Sequence, residues 1–377
     1  MKISRITWYE VIVPAHKGSI NSKEINKPLH KLPVGAKEGW SLQFDELPKL
    51  IIKLELDSGI IGWGECYRGH NAAVVEDIIN VLLGRDLRSL TLQKLPFVFC
   101  REYDGFECAI WDAYAKAHNM RVVDLLGGPV RDKVKVGAWS GHRSIAEVGD
   151  LVKNFSAAGY DCIKFKCDLD DNVVAWCEVI AAEAPRMQVI LDPNERWEFG
   201  FEARRRMHAL QRTGNVLCLE DPIPRWKLAE FAALRSIGSI PIVLHVSLPY
   251  ILHGQRIQDA VRAIQLDAVD GFNFNAGLAD FQRLDHIAAA AQLPCWHGSE
   301  IDLGILEAMY VHSSAAAASC VWPGDIFGRM IREHDLLRTP LKFEPPYVHL
   351  PQGPGLGIEP DMEAIAHYQV NTKEYKL

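Results

Sequence analysis

The sequence predicts a mixed α/β fold: a modified TIM (β/α) barrel with an α+β N-terminal capping domain that the C-terminal tail completes. Three observations predict it. First, short apolar strand candidates begin near Val134, Cys162, Gln188, Val216, Ile242, Val269, Pro294 and Cys320, each followed by a helix-like stretch. Their spacing of about 25–30 residues is the repeat expected of a barrel of about 250 residues. Second, the region before them reads as strands and then helices. Third, titratable residues recur at the carboxyl ends of the repeated strands, where barrels place their chemistry. An open doubly wound sheet is the competing architecture. Even spacing, and no glycine-rich phosphate loop after the first strand, argue against it.

Taken in order, Ile3 to Val13 alternates loosely and Leu50 to Leu56 is β-rich. Asp57-Ser58-Gly59 supplies the turn of a hairpin into Ile60–Glu65. Between these strands, Ala15 to Ser41 is polar and Gly/Lys-rich, the long kind of loop that tends to carry function. Asn71 to Asn119 turns helical, and Val122 to Gly128 closes the region. We therefore expect a capping domain over residues 1–128, a barrel over 129–344, and a segment over 345–377 that packs back on the cap. Leu350 to Gly357 is turn chemistry suited to that return.

Composition bounds the function. The chain has 377 residues, 48% of them hydrophobic and 24% charged, as in a water-soluble globular protein. A net charge of −7 without a basic block argues against nucleic acid as a partner. No apolar run reaches membrane-span length, and the N-terminus lacks the apolar core of a signal peptide. The cysteines number 9, scattered and without a Cys-x-x-Cys pair, which points to free thiols in a reducing cytoplasm.

The chemistry-bearing residues sit at strand ends. In Cys162-Ile163-Lys164-Phe165-Lys166, alternation puts Lys164 and Lys166 on one face. Mutual repulsion and desolvation lower a lysine pKa and can make one of the pair a base. The plainer alternative is an edge strand with a solvated lysine face. The third strand ends with Asp192 and Asn194, the fourth with Glu220, the fifth with His245 and the seventh with His297. Taken singly, such residues cap helices or fill rims. Carboxylates converging at a barrel mouth suit a hard divalent cation such as Mg²⁺.

With these motifs in order, the chain resembles the enolase superfamily, in its mandelate racemase, muconate lactonizing enzyme and glucarate dehydratase branches. Further markers are Gly62-Trp63-Gly64-Glu65, Ala109-Ile110-Trp111-Asp112-Ala113, Leu125-Leu126-Gly127-Gly128 and Gly353-Pro354-Gly355-Leu356-Gly357. The resemblance implies abstraction of the proton α to a carboxylate, with the enediolate held on a metal. It assigns Lys166 as base, Lys164 as its pKa-lowering neighbour and a contact for the substrate carboxylate, and Asp192 and Glu220 as metal ligands. It also implies a small-molecule carboxylate substrate and a homo-oligomer.

The chain departs from the family pattern in two places. His245 stands at the third metal-ligand position, and imidazole suits Mn²⁺ or another transition ion better than Mg²⁺. His297 lacks the family's partner Asp: Gly271 holds that position, and Asp270 falls on the opposite strand face. Asn273, which shares the parity of Gly271, is expected with Asn194 to face the substrate. Only the lysine face then has a well-equipped base. The expectation is a lyase that eliminates β-hydroxide from an acid sugar, with Lys166 as base and His297 as acid. A racemase, epimerase or cycloisomerase is the alternative, and a catalytically silent ligand-binding relative is the third reading.

Overall fold

The structure, a computed structural model, describes residues 1–25, 27, 48–246 and 255–377. The expected loop from Ala15 to Ser41 therefore lies largely outside the described residues.

Strands β1 (Ile3–Val11), β2 (Lys49–Leu56) and β3 (Ile61–Cys66) form an antiparallel sheet. Gly59, at φ +83°, turns β2 into β3, a conformation that glycine adopts without a Cβ clash. The buried faces of these strands pack on helices α1 (Ala72–Leu82) and α2 (Tyr103–Ala117) through Ile6, Leu50, Ile52, Leu54, Val75, Ile79, Phe106 and Ile110. Asn71 starts α1 by accepting the Ala73 amide at 2.9 Å. Helix α2 lies so close to β3 that side chains are excluded at two positions. A Cβ on Gly62 would stand 2.1 Å from the Ala109 carbonyl oxygen, and one on Gly64 2.0 Å from that of Gly105.

After the short helix α3 (Val122–Leu125) come β4 (Lys133–Lys135) and the parallel strands β5 (Ala138–Ser140), β6 (Cys162–Lys166), β7 (Gln188–Asp192), β8 (Val216–Glu220), β9 (Ile242–Val246), β10 (Gly271–Phe274) and β11 (Cys295–His297). These make a seven-stranded sheet in sequential order from β5 to β11. Helices α4 (Ile145–Ala157), α5 (Val173–Glu183), α6 (Gly200–Leu210), α7 (Leu228–Ile237), α8 (Arg256–Gln265), α9 (Leu278–Ala290) and α10 (Gly304–Ala316) alternate with them. The helices cover the outward strand residues Ile163, Phe165, Leu191, Leu219, Leu244, Phe272 and Phe274.

Two expected strands differ in detail. Val134 lies in β4, which pairs outside the barrel with β13 (Tyr347–His349), itself paired to β12 (Phe343–Glu344). The first barrel strand starts instead at Ala138. The eighth unit, near Cys320, is a seam of isolated parallel bridges. Cys320 pairs with Cys295 on one edge and Gly324 with Val136 on the other, so this segment closes the curled sheet into a barrel. Pro323 lacks the N–H a full ladder needs, which limits the seam to single bridges.

After α11 (Gly328–Ile331) and α12 (Met362–Tyr368), strand β14 (Gln369–Lys376) returns to pair antiparallel with β1. On the way, Gly355 donates to the Met120 carbonyl at 2.8 Å and Leu356 donates to Asp112 Oδ1 at 2.8 Å. Cap and barrel are tied by Glu65, which accepts the amides of Leu303 (2.8 Å) and Leu306 (3.1 Å) at the start of α10. The Lys49 ammonium lies between Glu65, at 2.8 Å, and Asp302. No helix among the described residues is long and apolar enough to cross a membrane.

Candidate active site

Strand alternation decides which side chains enter the barrel mouth. Cys162, Ile190, Cys218, Val243 and Trp296 form an apolar plug inside the barrel. The next inward positions toward the carboxyl ends are Lys164, Asp192, Glu220, His245 and Gly298, with Asn273 beside His245 in the ladder. Lys166 follows Lys164 on the same face. The solvated-lysine alternative is thereby excluded, because Lys164 is 3% exposed and Lys166 8%.

The cluster is compact. Lys164 Nζ lies 2.7 Å from Glu220 Oε2, 2.8 Å from Asp325 Oδ2 and 3.2 Å from Asp192 Oδ2. Lys166 Nζ lies 2.5 Å from Asp192 Oδ2 and donates to Asn194 Oδ1 at 2.9 Å. Asp192 Oδ1 accepts both the backbone and side-chain N–H of Asn194, each at 3.0 Å. Asn273 Nδ2 donates to Glu220 Oε1 at 2.9 Å and to Asp325 at 3.2 Å. His245 Nδ1 faces Glu220 Oε1 at 3.4 Å. Asn194 and Asp221 adopt positive φ, +49° and +43°, just past the ends of β7 and β8. Such backbone is costly for residues other than glycine and tends to persist at working sites.

His297 lies elsewhere. Trp296 takes the inward position, so the His297 ring turns out to the helix layer, stacked between Phe281 at 4.4 Å and Tyr310 at 4.0 Å. Its ring nitrogens face the carbonyls of Gly298 (2.7 Å) and Ala276 (3.1 Å). Burial lowers its pKa to about 4. The structure thus brings together every expected site residue except His297. Asp270 also lies away from the mouth, paired with Arg235 at 2.6 Å.

Comparison with known proteins agrees with this layout. Residues 147–364 match the enolase C-terminal domain-like family, and residues 43–127 match the mandelate racemase / muconate lactonizing enzyme N-terminal domain. The chain belongs to the enolase superfamily, in its mandelate racemase and muconate lactonizing enzyme branch. Muconate cycloisomerase 1 of Rhodococcus opacus is 25% identical over 86% of this chain and 91% of its own length. D-galactarolactone cycloisomerase of Agrobacterium fabrum is 25% identical over 88% and 94%. The crystal structure of N-succinyl Arg/Lys racemase from Bacillus cereus superposes with a TM-score of 0.82 over the full length of both chains, at 18% identity, a likeness of fold. This chain is accordingly an enzyme, and the silent-relative reading is set aside.

Within this superfamily member the two lysines are biased in opposite directions. Burial lowers Lys166, helped by the Lys164 charge and opposed by Asp192. Burial acts on Lys164 too, but Asp325, Glu220 and Asp192 together hold it well above the ordinary lysine range. For Asp192, burial is outweighed by the two ammonium groups, which hold it well below the usual carboxylate range. Burial and the Asp192 charge push Glu220 well above it. Burial, then Arg225 and Lys164, keep the His245 imidazole neutral.

Asp325 is the residue that strand-end reading missed. Its signal is position alone: it follows the closing segment Cys320–Gly324, which reads as a turn because of Pro323-Gly324. Asp221 was also passed over. It lies with Glu220 and His245 in a group whose ligand atoms are within 4.8 Å of one another. Its oxygens are already engaged by the His245 amide at 2.9 Å and Arg225 at 2.6 Å.

The donor set fits a divalent cation. Among the described residues, Asn273 Oδ1 and His245 Nε2 are buried without a hydrogen-bond partner. A Cβ on Gly298 would fill the space they face, 2.3 Å from Asn273 Oδ1 and 3.0 Å from His245 Nε2.

Proposed function

We propose that the chain isomerises a small carboxylate by one-base chemistry of the cycloisomerase type. Lys166 Nζ takes the proton from the carbon α to the carboxylate, and the electron pair forms a C=C bond as a β C–O bond of a lactone opens. The reverse sequence closes the ring. The ring oxygen leaves as part of the new carboxylate, and Lys166 releases the proton to solvent or, in the closing direction, delivers it to the α-carbon. A divalent cation at Glu220 and His245 supplies, when bound, positive charge for the carboxylate as its α-carbon turns carbanionic. Lys164, which stays protonated, offers a second cation to the same group. Asn194 orients the Lys166 amine, and the cap residues Ile20 and Ser22 are bonded to the backbone of Gly141 and His142, just past the end of β5.

The observation that carries this reading is the one-sided base. Lys166 is biased toward the free amine, and His297 is turned away from the mouth. Racemisation needs an effective base on each face of the carbanion, and acid-sugar dehydration needs the acid that His297 was expected to supply. Relatives named as cycloisomerases support the same choice. The test is incubation in heavy water with a panel of lactones, muconates, N-acyl amino acids and acid sugars. Deuterium entering the α-carbon of a product isomeric with its substrate supports the proposal. Water loss, or exchange with inversion and no ring chemistry, selects the dehydratase or the racemase instead.

A further inference from the structure

We infer that this chain builds its cation site on His245 Nε2 and Asn273 Oδ1, with Glu220 alongside and without Asp192, and that the site therefore prefers a transition ion to Mg²⁺. The inference rests on the proposed metal-dependent reading and deepens it.

Asp192 has no oxygen to offer. Its Oδ2 faces two ammonium nitrogens, Lys166 at 2.5 Å and Lys164 at 3.2 Å. Its Oδ1 takes two N–H groups of Asn194 at 3.0 Å each. A cation entering there would have to displace those donor contacts, whereas one strand further round the barrel it would meet acceptors with no partner among the described residues.

The neighbouring position is prepared for one. Glu220 Oε1 accepts from Asn273 Nδ2 at 2.9 Å and faces His245 Nδ1 at 3.4 Å. One carboxylate oxygen thus orients two side chains, as carboxylates commonly do for metal-bound imidazoles. Each is left with its other lone pair turned the same way. Asn273 is 0% exposed, and among the described residues neither its Oδ1 nor His245 Nε2 has a hydrogen-bond partner. Two acceptors cannot satisfy one another, so the space they share calls for an electrophile. Gly298 keeps that space open, because a Cβ there would collide with Asn273 Oδ1 at 2.3 Å and crowd His245 Nε2 at 3.0 Å. One imidazole nitrogen plus amide and carboxylate oxygens suits Mn²⁺, Co²⁺ or Zn²⁺ better than Mg²⁺.

The experiment uses the full chain, stripped of metal and titrated by calorimetry with Mn²⁺ and with Mg²⁺. Mn²⁺ is expected to bind at least about tenfold more tightly, following the ligand-softness order. Pulsed electron paramagnetic resonance of the Mn²⁺ form should carry ¹⁴N coupling, lost in His245→Gln. Gly298→Ala, which removes no ligand, should weaken Mn²⁺ by a similar factor while its circular dichroism spectrum stays native. Asp192→Asn should change Mn²⁺ affinity by less than about threefold. Equal affinity for Mg²⁺ without nitrogen coupling, or binding abolished by Asp192→Asn and untouched by Gly298→Ala, overturns the inference. Because these readouts need no turnover, nitrogen-ligated Mn²⁺ without α-proton exchange would sink the proposed reaction and leave the site standing. Exchange supported by Mg²⁺ alone would do the opposite.

Discussion

The ammonium of Lys164 stands 2.8 Å from Asp325 Oδ2, joining the second barrel strand to the residue that follows the closing seam. The same nitrogen touches Glu220 and Asp192, so one buried cation balances carboxylates from three other parts of the barrel. Electrostatics here position the groups proposed for catalysis and hold the mouth together at once.

Lys164→Met should therefore be costly for stability. It leaves buried carboxylates uncompensated, and breaking a buried pair in this way costs about 3–5 kcal/mol. Adding Asp325→Asn removes one of the stranded charges and should recover about 0.5–3 kcal/mol of that loss, the usual range of coupling between contacting residues. Urea unfolding of the two single variants and the double variant measures this. Strict additivity would separate Lys164 from Asp325 and contradict the geometry.

Lys166 must shed its proton before it can act as a base, and its pKa lies below that of ordinary lysine. The sign follows: kcat/KM should rise with pH and level off before the ordinary lysine value of about 10.4. Lys166→Met should abolish that limb and lower the rate about 10²–10⁴-fold, the usual contribution of a general base. A full rising limb surviving in the variant would give the base role to another group.

Much of this arrangement was legible in the sequence, because it depends on strand parity. Lys164, Lys166, Asp192, Glu220, His245 and Asn273 share one face by counting alone, and they meet at the mouth. The reading fails at His297, which stands out by its place at the end of the seventh strand, whereas Trp296 holds the inward position. A histidine near a strand end draws notice for its chemistry, whereas the side of the sheet it faces depends on register, which one sequence does not display. Asp325 escaped for a related reason. The eighth barrel unit is a seam of single bridges whose residues read as a turn, and its end is found only once the barrel closes. The Gly62-Trp63-Gly64-Glu65 run was readable as a family marker, but its physical cause lies in three dimensions. The glycines admit α2, and Glu65 holds the start of α10.

A pH dependence of stability follows from His312. Its Nδ1 accepts the Val123 amide at 3.1 Å and its Nε2 donates to the Leu356 carbonyl at 3.0 Å, an arrangement only the neutral ring can make. Burial lowers its pKa to about 4. The unfolded chain takes up the proton near the ordinary value of about 6.5. The contribution of His312 is thus complete above about pH 6.5 and is lost as pH falls toward 4, by on the order of 3 kcal/mol. His297, also held near 4 by burial, acts in the same direction. His312→Gln should be less stable at pH 7 yet lose less on acidification. Urea midpoints between pH 7 and pH 4 decide it, and an unchanged acid slope in the variant would rule out His312 as a source.

The contact between β3 and α2 makes the last prediction. Gly64→Ala places a methyl group 2.0 Å from the Gly105 carbonyl oxygen and 3.0 Å from the Ala109 Cβ, so strand and helix must separate. Backbone on both sides leaves no rotamer through which to escape. Overpacking of this kind costs about 1–3 kcal/mol and more where the surroundings cannot shift. The helix is further restrained by Trp63, whose amide donates to Asp112 Oδ2 at 2.9 Å, so separation also strains that bond. The effect should be on the cap before the barrel: thermal unfolding of Gly64→Ala should begin earlier than in the parent, and hydrogen exchange should quicken in α2 and β3 first. Exposed Gly127, where a Cβ meets nothing within 4 Å but φ is +102°, is the control. Alanine there strains only its own backbone, so Gly127→Ala should leave α2 exchange unchanged. Equal exchange in α2 for both variants would mean that the close approach at Gly64 does not hold the cap together.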